Sequence, residues 1–254
     1  MNRIIVFALM FFCMTMQIEA QTLSEEEVTA KMYQAFELNK AAKKAEALEL
    51  FLIVGENTKQ QRNEGERQVY VCSQTMACQC YELLGRYKEG YLLGKSLLQG
   101  KLNDTERKDV GHLYAMNGYM YACEFIQRDE KGRADYKRGR ELISEILPYS
   151  DGQVKEYAET KIPLSWYFEG AQYAMTQSYD EALSSYEEAL NGFRDLGRVS
   201  EEVDVLSGIA SVKAHLCKFD EAKRVYYQAF VLAHQNGKVN KQMDVLRELW
   251  SLGN

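Results

Sequence analysis

Proline and histidine are scarce in this sequence of 254 residues, which contains 2 prolines and 3 histidines. Because proline breaks helix interiors, its scarcity permits long helices almost everywhere. The histidines His112, His215 and His234 are far apart, with no H-E-x-x-H pair and no cysteine at metal-ligand spacing. The formal net charge is −6 and no basic stripe is present. The composition therefore disfavours a metal site and a nucleic-acid partner.

Motifs of catalytic and cofactor sites are also missing. Gly94-Lys95-Ser96 is similar to the end of a phosphate-binding loop, but Glu89 occupies the position of its first glycine. Neither a G-x-S-x-G elbow nor a dinucleotide-binding glycine pattern is present. Carboxylate runs such as Glu187-Glu188 are typical of solvated helix faces. The sequence predicts a protein that is not an enzyme and that has no cofactor, no metal and no catalytic residue.

The N-terminus has the pattern of a signal peptide. Arg3 supplies a positive charge, residues 4–14 form a short apolar stretch, and Ala20 is a small residue at the expected cleavage site. We expect residues 1–20 to be removed and Gln21 to begin an exported, periplasmic or extracytoplasmic chain. The alternative is an uncleaved N-terminal anchor, although the stretch is shorter than the roughly 20 residues that span a bilayer. No second hydrophobic stretch predicts a membrane span in the mature chain.

Five cysteines follow the predicted leader, so an odd number would remain in an exported chain. Cys78 and Cys80 stand two residues apart, and on a helix such side chains diverge. This spacing does not suit a metal site. We expect small, buried cysteines that pack between helices.

Three segments of the chain resemble one another. They begin at Tyr87, Tyr179 and Phe219, and each has an aromatic residue, two polar residues, a small residue and then a helical pattern. Tyr186 and Ala189 follow Ala182 at offsets of four and seven; the third segment repeats these offsets with Ala222, Tyr226 and Ala229. Such offsets place side chains on one face of a helix.

One unit carries a longer signature. Trp166, Gly170 and Tyr173 precede Ala182 with the spacing W-x3-G-x2-Y. Residues 163–190 therefore resemble a tetratricopeptide repeat (TPR), although Glu169 replaces the leucine of its signature and no terminal proline follows. The resemblance implies an all-α fold, a right-handed α-α superhelix of about five helix pairs plus a C-terminal helix. Small residues would let paired helices approach closely, and aromatic residues would fill the space between pairs.

The remaining units are weaker and are placed by register. Their anchor positions are Ala47, Gly90, Gly139, Ala182 and Ala222, which recur at longer intervals than the roughly 34 residues of the compact repeat. Longer helices and links would account for the difference. The predicted organisation is a signal peptide at 1–20 and a TPR solenoid at 21–254, with units at 28–62, 67–104, 107–152, 160–197 and 199–236 and a capping helix at 239–252.

The last predicted helix repeats the pattern of residues 203–210 forty residues later, with Trp250 at the position of Ala210. It is interpreted as a capping helix, which a solenoid needs at its end. Alternatively, it is the first helix of a sixth unit and the chain is the front part of a longer protein.

The TPR resemblance implies a function in protein–protein interaction, because the first helices of such units line a concave groove that receives a protein or peptide. We expect an exported scaffold or adaptor that binds a hydrophobic or amphipathic helical segment. Groove residues of the subclass that clamps a terminal carboxylate are lysine and asparagine, which differ from those here. The candidate groove residues are Phe36, Gln79, His112, Tyr119, Tyr167, Asp204 and Ser207.

Two other classes of function remain open. The first is the extracytoplasmic sensor region of a membrane signalling or transcription regulator, of which this chain would be a truncated part. The second is an enzyme or glycan-binding protein built on helical repeats. Only the paired carboxylates support this class.

Overall fold

The computed structural model describes residues 23–127 and 134–252; the predicted leader at 1–20 and the expected mature start at Gln21 lie outside them. Its secondary structure there is helical and contains no strand, which confirms the all-α class. None of the helices in these ranges is long and apolar enough to cross a membrane. The helices are α1 (Glu25–Lys40), α2 (Lys44–Thr58), α3 (Glu64–Leu83), α4 (Tyr87–Leu98), α5 (Asp104–Ile126), α6 (Tyr136–Ile146), α7 (Gly152–Met175), α8 (Tyr179–Asp195), α9 (Val199–His215), α10 (Phe219–Gln235) and α11 (Val239–Ser251), with a 3-10 turn at Leu147–Tyr149.

The chain divides into two compact units, of which unit 1 is Met1–Glu106. Within unit 1, α1 packs on α2, α2 on α3 and α3 on α4. Ala47 and Phe51 of α2 are completely buried against Ala77 and Cys80 of α3. The helix α1 begins with a capping box, in which Ser24 accepts from the backbone of Glu27 and the Glu27 side chain accepts from Ser24.

Unit 2 is Arg107–Asn254 and repeats the same neighbour-to-neighbour packing. From α7 to α11, each helix packs on the one before it, and α9 also contacts both α7 and α11. One apolar core extends through α8, α9 and α10 and includes Phe193, Val205 and Tyr226. Because every helix buries a face on its sequence neighbours, the stack is what stabilises each pair.

Several of the described turns between helices share one arrangement, a residue with positive φ followed by a hydrogen bond that closes the preceding helix. Ala42, Gly85, Gln177 and Cys217 hold this conformation between the two helices of a pair. In each of these turns the next amide donates to a carbonyl five residues earlier, for example Lys218 to Lys213 at 2.9 Å. This is a Schellman motif, which satisfies the last carbonyl groups of the preceding helix.

Close packing within unit 2 centres on Tyr186 of α8. A Cβ atom built on Gly170 of α7 would lie 2.8 Å from its ring, and one built on Gly208 of α9 would lie equally close to it. The ring therefore fits between two helices that both lack a side chain at the contact. Gly170 belongs to the TPR-like signature, whereas Gly208 carries the same packing without being part of it.

Helix α7 begins at Gly152, ahead of residue 160 where the sequence placed the start of the fourth unit. The helix is 24 residues long and contains Pro163 in its interior. A Cβ atom on Gly192 of α8 would come within 2.8 Å of the proline ring, so Pro163 fills a gap left by a glycine. The missing amide of a proline costs a helical hydrogen bond, and here the ring contributes a packing contact.

The five anchor positions, one in each predicted unit, are all buried: Ala47, Gly90, Gly139, Ala182 and Ala222. Among the cysteines, Cys78, Cys80 and Cys123 are buried as expected, while Cys72 and Cys217 are exposed. Cys217 occupies one of the positive-φ turns. No disulfide forms among the described cysteines.

Candidate functional site

A row of side chains links the first helices of successive pairs in unit 2. This first-helix row consists of Tyr119 of α5, Tyr157 and Tyr167 of α7, Asp204 of α9 and Lys241 of α11. The rings of Tyr119 and Tyr157 stack, with centroids 6.3 Å apart and planes inclined by 27°. Stacked aromatic side chains offer a large, rigid contact area with few rotatable bonds.

Tyr119 is half-buried in this row, and Tyr157 is exposed. Burial raises the pKa of the Tyr119 phenol, and the neighbouring Cys123 thiol, with which it shares a hydrogen bond, raises it further. The Tyr119 phenol therefore remains neutral at physiological pH. The side chains that α5 and α7 contribute to the row are aromatic.

The α9–α11 part of the row contains two opposite charges that form an ion pair with each other. Lys241 Nζ donates to Asp204 Oδ2 at 2.6 Å, and both side chains are half-buried. Burial raises the pKa of the nearby Tyr167 phenol, and the Asp204 carboxylate adds to the effect. Because Lys241 is engaged by Asp204, this end of the row does not present a lone cation to a terminal carboxylate.

Two other candidate groove residues of unit 2 make local contacts. The exposed His112 lies with Nδ1 3.0 Å from Oδ1 of Asp151, which precedes α7. Ser207 donates to the carbonyl of Val203 in its own helix at 2.9 Å. His112 thus lies beside the start of α7, whereas the Ser207 hydroxyl is used within α9.

The candidate groove residues of unit 1 differ in exposure. Phe36 of α1 packs edge-on against the buried Phe51, with ring centroids 5.4 Å apart, so most of its surface serves the core. Gln79 of α3 is exposed. Their role in binding stays a prediction.

The residues predicted to pack the repeats fall into two groups. Trp166 and Tyr173 are half-buried against the core of unit 2. The buried group lies at the contacts between helices of the fourth and fifth units and comprises Gly170, Ala182, Tyr186, Ala189, Ala222, Tyr226 and Ala229.

Trp166 has a further contact that the sequence did not indicate. The guanidinium carbon of Arg140 on α6 lies 3.3 Å from its ring centroid, and the same group donates to Glu169 Oε2 at 2.7 Å. A surface cavity of about 330 Å³ opens beside this cluster. Arg140 therefore joins α6 to α7 through a cation–π contact and an ion pair, so the cluster is explained by packing.

Metal and phosphate sites find no support in the part of the chain that the structure describes. It holds no group of three or more histidine, cysteine or acidic side chains that could bind a metal ion. The Gly94-Lys95-Ser96 segment lies inside α4, where its amides belong to the helix. A helix interior cannot wrap its backbone amides around a phosphate.

Sequence reasoning missed Tyr157 and Lys241 as members of the row. Tyr157 lies between residues 152 and 160, outside the predicted third and fourth units. Lys241 lies in the predicted capping helix, forty residues after Glu201 of α9. The continued forty-residue register was the available signal for Lys241; contacts between helices were needed for Tyr157.

Comparisons with known proteins give structural likenesses at low identity. No family model matches the sequence, and no curated protein matches it. TTC0263, a thermophilic TPR protein of Thermus thermophilus, is 17% identical over 89% of this chain and 98% of its own, with a TM-score of 0.33. The TPR2AB domain of yeast Sti1, solved in complex with pHSP90, is 9% identical over 91% of this chain and 100% of its own, with a TM-score of 0.36. The apo form of RapI is 14% identical over 84% and 72%, with a TM-score of 0.34. With all TM-scores below 0.5, the fold assignment rests on the helix pairs themselves.

Proposed function

We propose that this chain is an exported scaffold that binds a protein or peptide and does not act as a catalyst. The observation that carries the proposal is the first-helix row: aromatic side chains on α5 and α7 combine with a neutralised ion pair between α9 and α11. Aromatic residues are enriched where proteins bind one another, and isolated charges are depleted at the centres of such interfaces.

The chemistry of the row favours an apolar or amphipathic helical segment as the ligand. The exposed Tyr157 and the half-buried Tyr119 and Tyr167 offer ring faces and hydroxyl groups. A helix with apolar residues at spacings of three and four can place its side chains against such a surface.

Site-specific photo-crosslinking tests this proposal in the producing cells. A photoreactive phenylalanine analogue replaces Tyr157, and the control carries it at Tyr227, an exposed tyrosine on the second helix α10. We expect a defined protein adduct from position 157 and a much weaker one from position 227. Equal adducts from both positions, or none from position 157, would contradict the assignment of the binding face.

Export is tested separately at the N-terminus. We propose cleavage after Ala20, so sequencing the secreted or periplasmic protein should begin at Gln21. Recovery of the uncleaved chain in the membrane fraction would instead support the N-terminal anchor.

A second candidate is that the chain forms the extracytoplasmic sensor region of a membrane regulator. The observation behind this candidate is the resemblance of α11 to the first helix α9. Sequencing the gene past Asn254 separates the candidates: an immediate stop codon argues for the scaffold, and a continuing frame with a membrane helix argues for the sensor.

A further inference from the structure

A cavity of about 330 Å³ opens on unit 2 between side chains of α6, α7 and α8. Its walls include Lys137 of α6, Trp166 and Tyr173 of α7, and Glu181 and Ser185 of α8. The volume is within the range of about 300–1,000 Å³ that small-molecule sites have. None of these residues belongs to the first-helix row, so the cavity is separate from the surface proposed above for a protein ligand.

One wall of the cavity is held in place by contacts within the protein. Arg140 lies over the Trp166 ring and donates to Glu169, and the side chains of Arg140 and Glu169 are only 11% and 17% exposed. The two opposite charges of this wall therefore neutralise each other. A ligand would find there a fixed surface that includes the indole ring of Trp166.

Polar groups on the other walls have no partner among the described residues. Lys137 and Glu181 are exposed, and neither forms an ion pair with the other or with any other described group. Ser185 is only 4% exposed, and its hydroxyl makes no hydrogen bond to a described residue. Because buried hydroxyl groups are nearly always hydrogen-bonded, a ligand in the cavity would satisfy Ser185.

The two unpaired charges indicate a ligand that carries both signs. Lys137 and Glu181 reach the cavity from different helices, α6 and α8. A simple anion such as phosphate would be attracted by Lys137 but repelled by the Glu181 carboxylate, and a simple cation would meet the opposite conflict. A zwitterion can pair its negative group with Lys137 and its positive group with Glu181 at the same time.

The groups around these charges fit an α-amino acid. Ser185 follows Glu181 by four residues, which places both on one face of α8. A ligand ammonium group can therefore donate to the Glu181 carboxylate and to the Ser185 hydroxyl together. The rings of Trp166 and Tyr173 offer an apolar surface to the ligand side chain, and Trp166 also lines an adjoining cavity with Ile162.

We propose that this cavity binds a free α-amino acid with an apolar side chain. Lys137 binds its carboxylate, Glu181 and Ser185 bind its ammonium group, and Trp166 and Tyr173 contact its side chain. The site gives the chain a small-molecule ligand in addition to the protein ligand proposed for the first-helix row.

Equilibrium dialysis of the purified chain against radiolabelled L-leucine or L-phenylalanine tests the site. We expect saturable binding of one molecule per chain for at least one of the two. The N-acetyl form of the bound amino acid lacks the positive charge and its methyl ester lacks the negative charge, so each should compete at least tenfold less well than the amino acid itself. Absence of saturable binding for both amino acids would refute the proposal, and so would equal competition by the two derivatives and the amino acid.

Two substitutions assign the charges of the protein to the two ends of the ligand. Lys137→Met should weaken binding of the amino acid at least tenfold and leave binding of its methyl ester unchanged. Glu181→Gln should weaken binding of the amino acid to a similar degree and leave binding of its N-acetyl form unchanged.

The matched controls are Glu188→Gln on the same helix α8 and Lys223→Met on α10, which change exposed residues outside the cavity. Both should bind the amino acid as the wild type does, and circular dichroism checks that all four variants are folded. Wild-type binding by Lys137→Met or by Glu181→Gln, or an equal loss in the matched control, would overturn the assignment of the ligand to this cavity.

Discussion

At the scale of single residues, the packing of unit 2 depends on where side chains are absent. Tyr186 occupies space left by Gly170 and Gly208, on the helices before and after its own. The aromatic ring and the two glycines are therefore one packing unit spread over three helices. A change at any one of them alters the fit of the other two.

Gly208→Ala should destabilise the protein by about 1–3 kcal/mol, because the new methyl group would overlap the Tyr186 ring. In a Tyr186→Ala background, the same substitution should instead stabilise by up to about 1 kcal/mol, since alanine is the better helix former. Urea denaturation of the four proteins of this double-mutant cycle measures both values. A cost that is equal in the two backgrounds would show that Tyr186 is not what limits the space at Gly208.

Gln177→Gly should stabilise the protein by up to about 1 kcal/mol. Gln177 holds φ at 62°, a conformation that strains a residue with a Cβ atom and that glycine adopts freely. Gly197→Ala is the opposite change at a turn with φ of 63° and should lower the midpoint of thermal unfolding. Differential scanning calorimetry compares the two. A lower midpoint for Gln177→Gly would mean that its side chain makes a contact worth more than the strain.

The sequence predicted some of these residues and missed others for a physical reason. Gly170 and Tyr186 stood out because their spacing is that of a repeat signature. Gly208 did not, because its importance comes from a ring on another helix and not from a spacing within its own. The positive-φ turns were equally hidden, since Gln177 and Cys217 replace the glycine that would have marked them.

At the scale of helices, adjoining elements are joined by a few partly buried ion pairs. Arg140 connects α6 to Trp166 and Glu169 of α7, and only 11% of its side chain is exposed. Arg67 of α3 similarly holds Glu106, at the start of α5, within unit 1. Both arginines bind through the planar guanidinium group, whose geometry lysine cannot reproduce.

Arg140→Lys should therefore destabilise by about 1–3 kcal/mol, because the contact with the Trp166 ring and the bond to Glu169 are lost or weakened together. The matched control is Arg138→Lys on the same helix, whose pair with Glu141 is exposed to solvent. Arg138→Lys should change the free energy of unfolding by no more than about 0.5 kcal/mol. Urea unfolding at neutral pH measures both. Similar losses for the two variants would indicate that the ring contact contributes little.

The Arg67–Glu106 pair should make stability depend on acid pH. The hydrogen bond from Arg67 lowers the pKa of the Glu106 carboxyl below its ordinary value of 4.5. The unfolded chain then binds the proton more tightly than the folded chain does. The contribution of the pair is complete above pH 4.5 and is lost as the pH falls through the lower folded value.

Glu106→Gln should consequently reduce the unfolding temperature at neutral pH, and the difference from the wild type should shrink on acidification. Glu37→Gln provides a control in the same unit, since its pair with Lys40 is largely exposed to solvent and should contribute little to stability. Thermal melts at a series of pH values test this. A difference for Glu106→Gln that persists at low pH would point to packing and not to charge.

At the scale of the whole molecule, helices contact mainly their neighbours in sequence. Where each helix packs mainly on its sequence neighbours, stability is close to a sum of local contributions. The sequence predicted the all-α fold, and the anchors Ala47, Gly90, Gly139, Ala182 and Ala222, which recur at similar intervals, are buried. It predicted helix ends less well: α7 continues back to Gly152 because contacts with neighbouring helices stabilise turns that have no repeat signature. The candidate groove residues remain predictions, since a binding face is defined by its partner.

If stability is local, a destabilising substitution in one unit should increase hydrogen exchange mainly in that unit. Phe51→Ala removes a completely buried ring from unit 1 and should cost about 3–5 kcal/mol there. We expect faster hydrogen exchange at α1–α3 and little change at α8–α10. Phe193→Ala in unit 2 should give the reverse pattern. Mass spectrometry of peptic fragments measures the exchange rates of both variants. Faster exchange over all the helices in either variant would instead show that the units unfold together.

The distribution of cysteines gives the molecule a built-in pair of labelling sites. Cys72 in unit 1 and Cys217 in unit 2 are exposed, while burial raises the pKa of the Cys78 thiol to about 12 and keeps it unreactive. Partial burial also raises the pKa of Cys72, so mildly alkaline buffer suits its modification. A donor and an acceptor dye attached to these two native thiols would report the distance between the units by energy transfer. A bound partner that rearranges the units would then be detected optically, without any substitution in the chain.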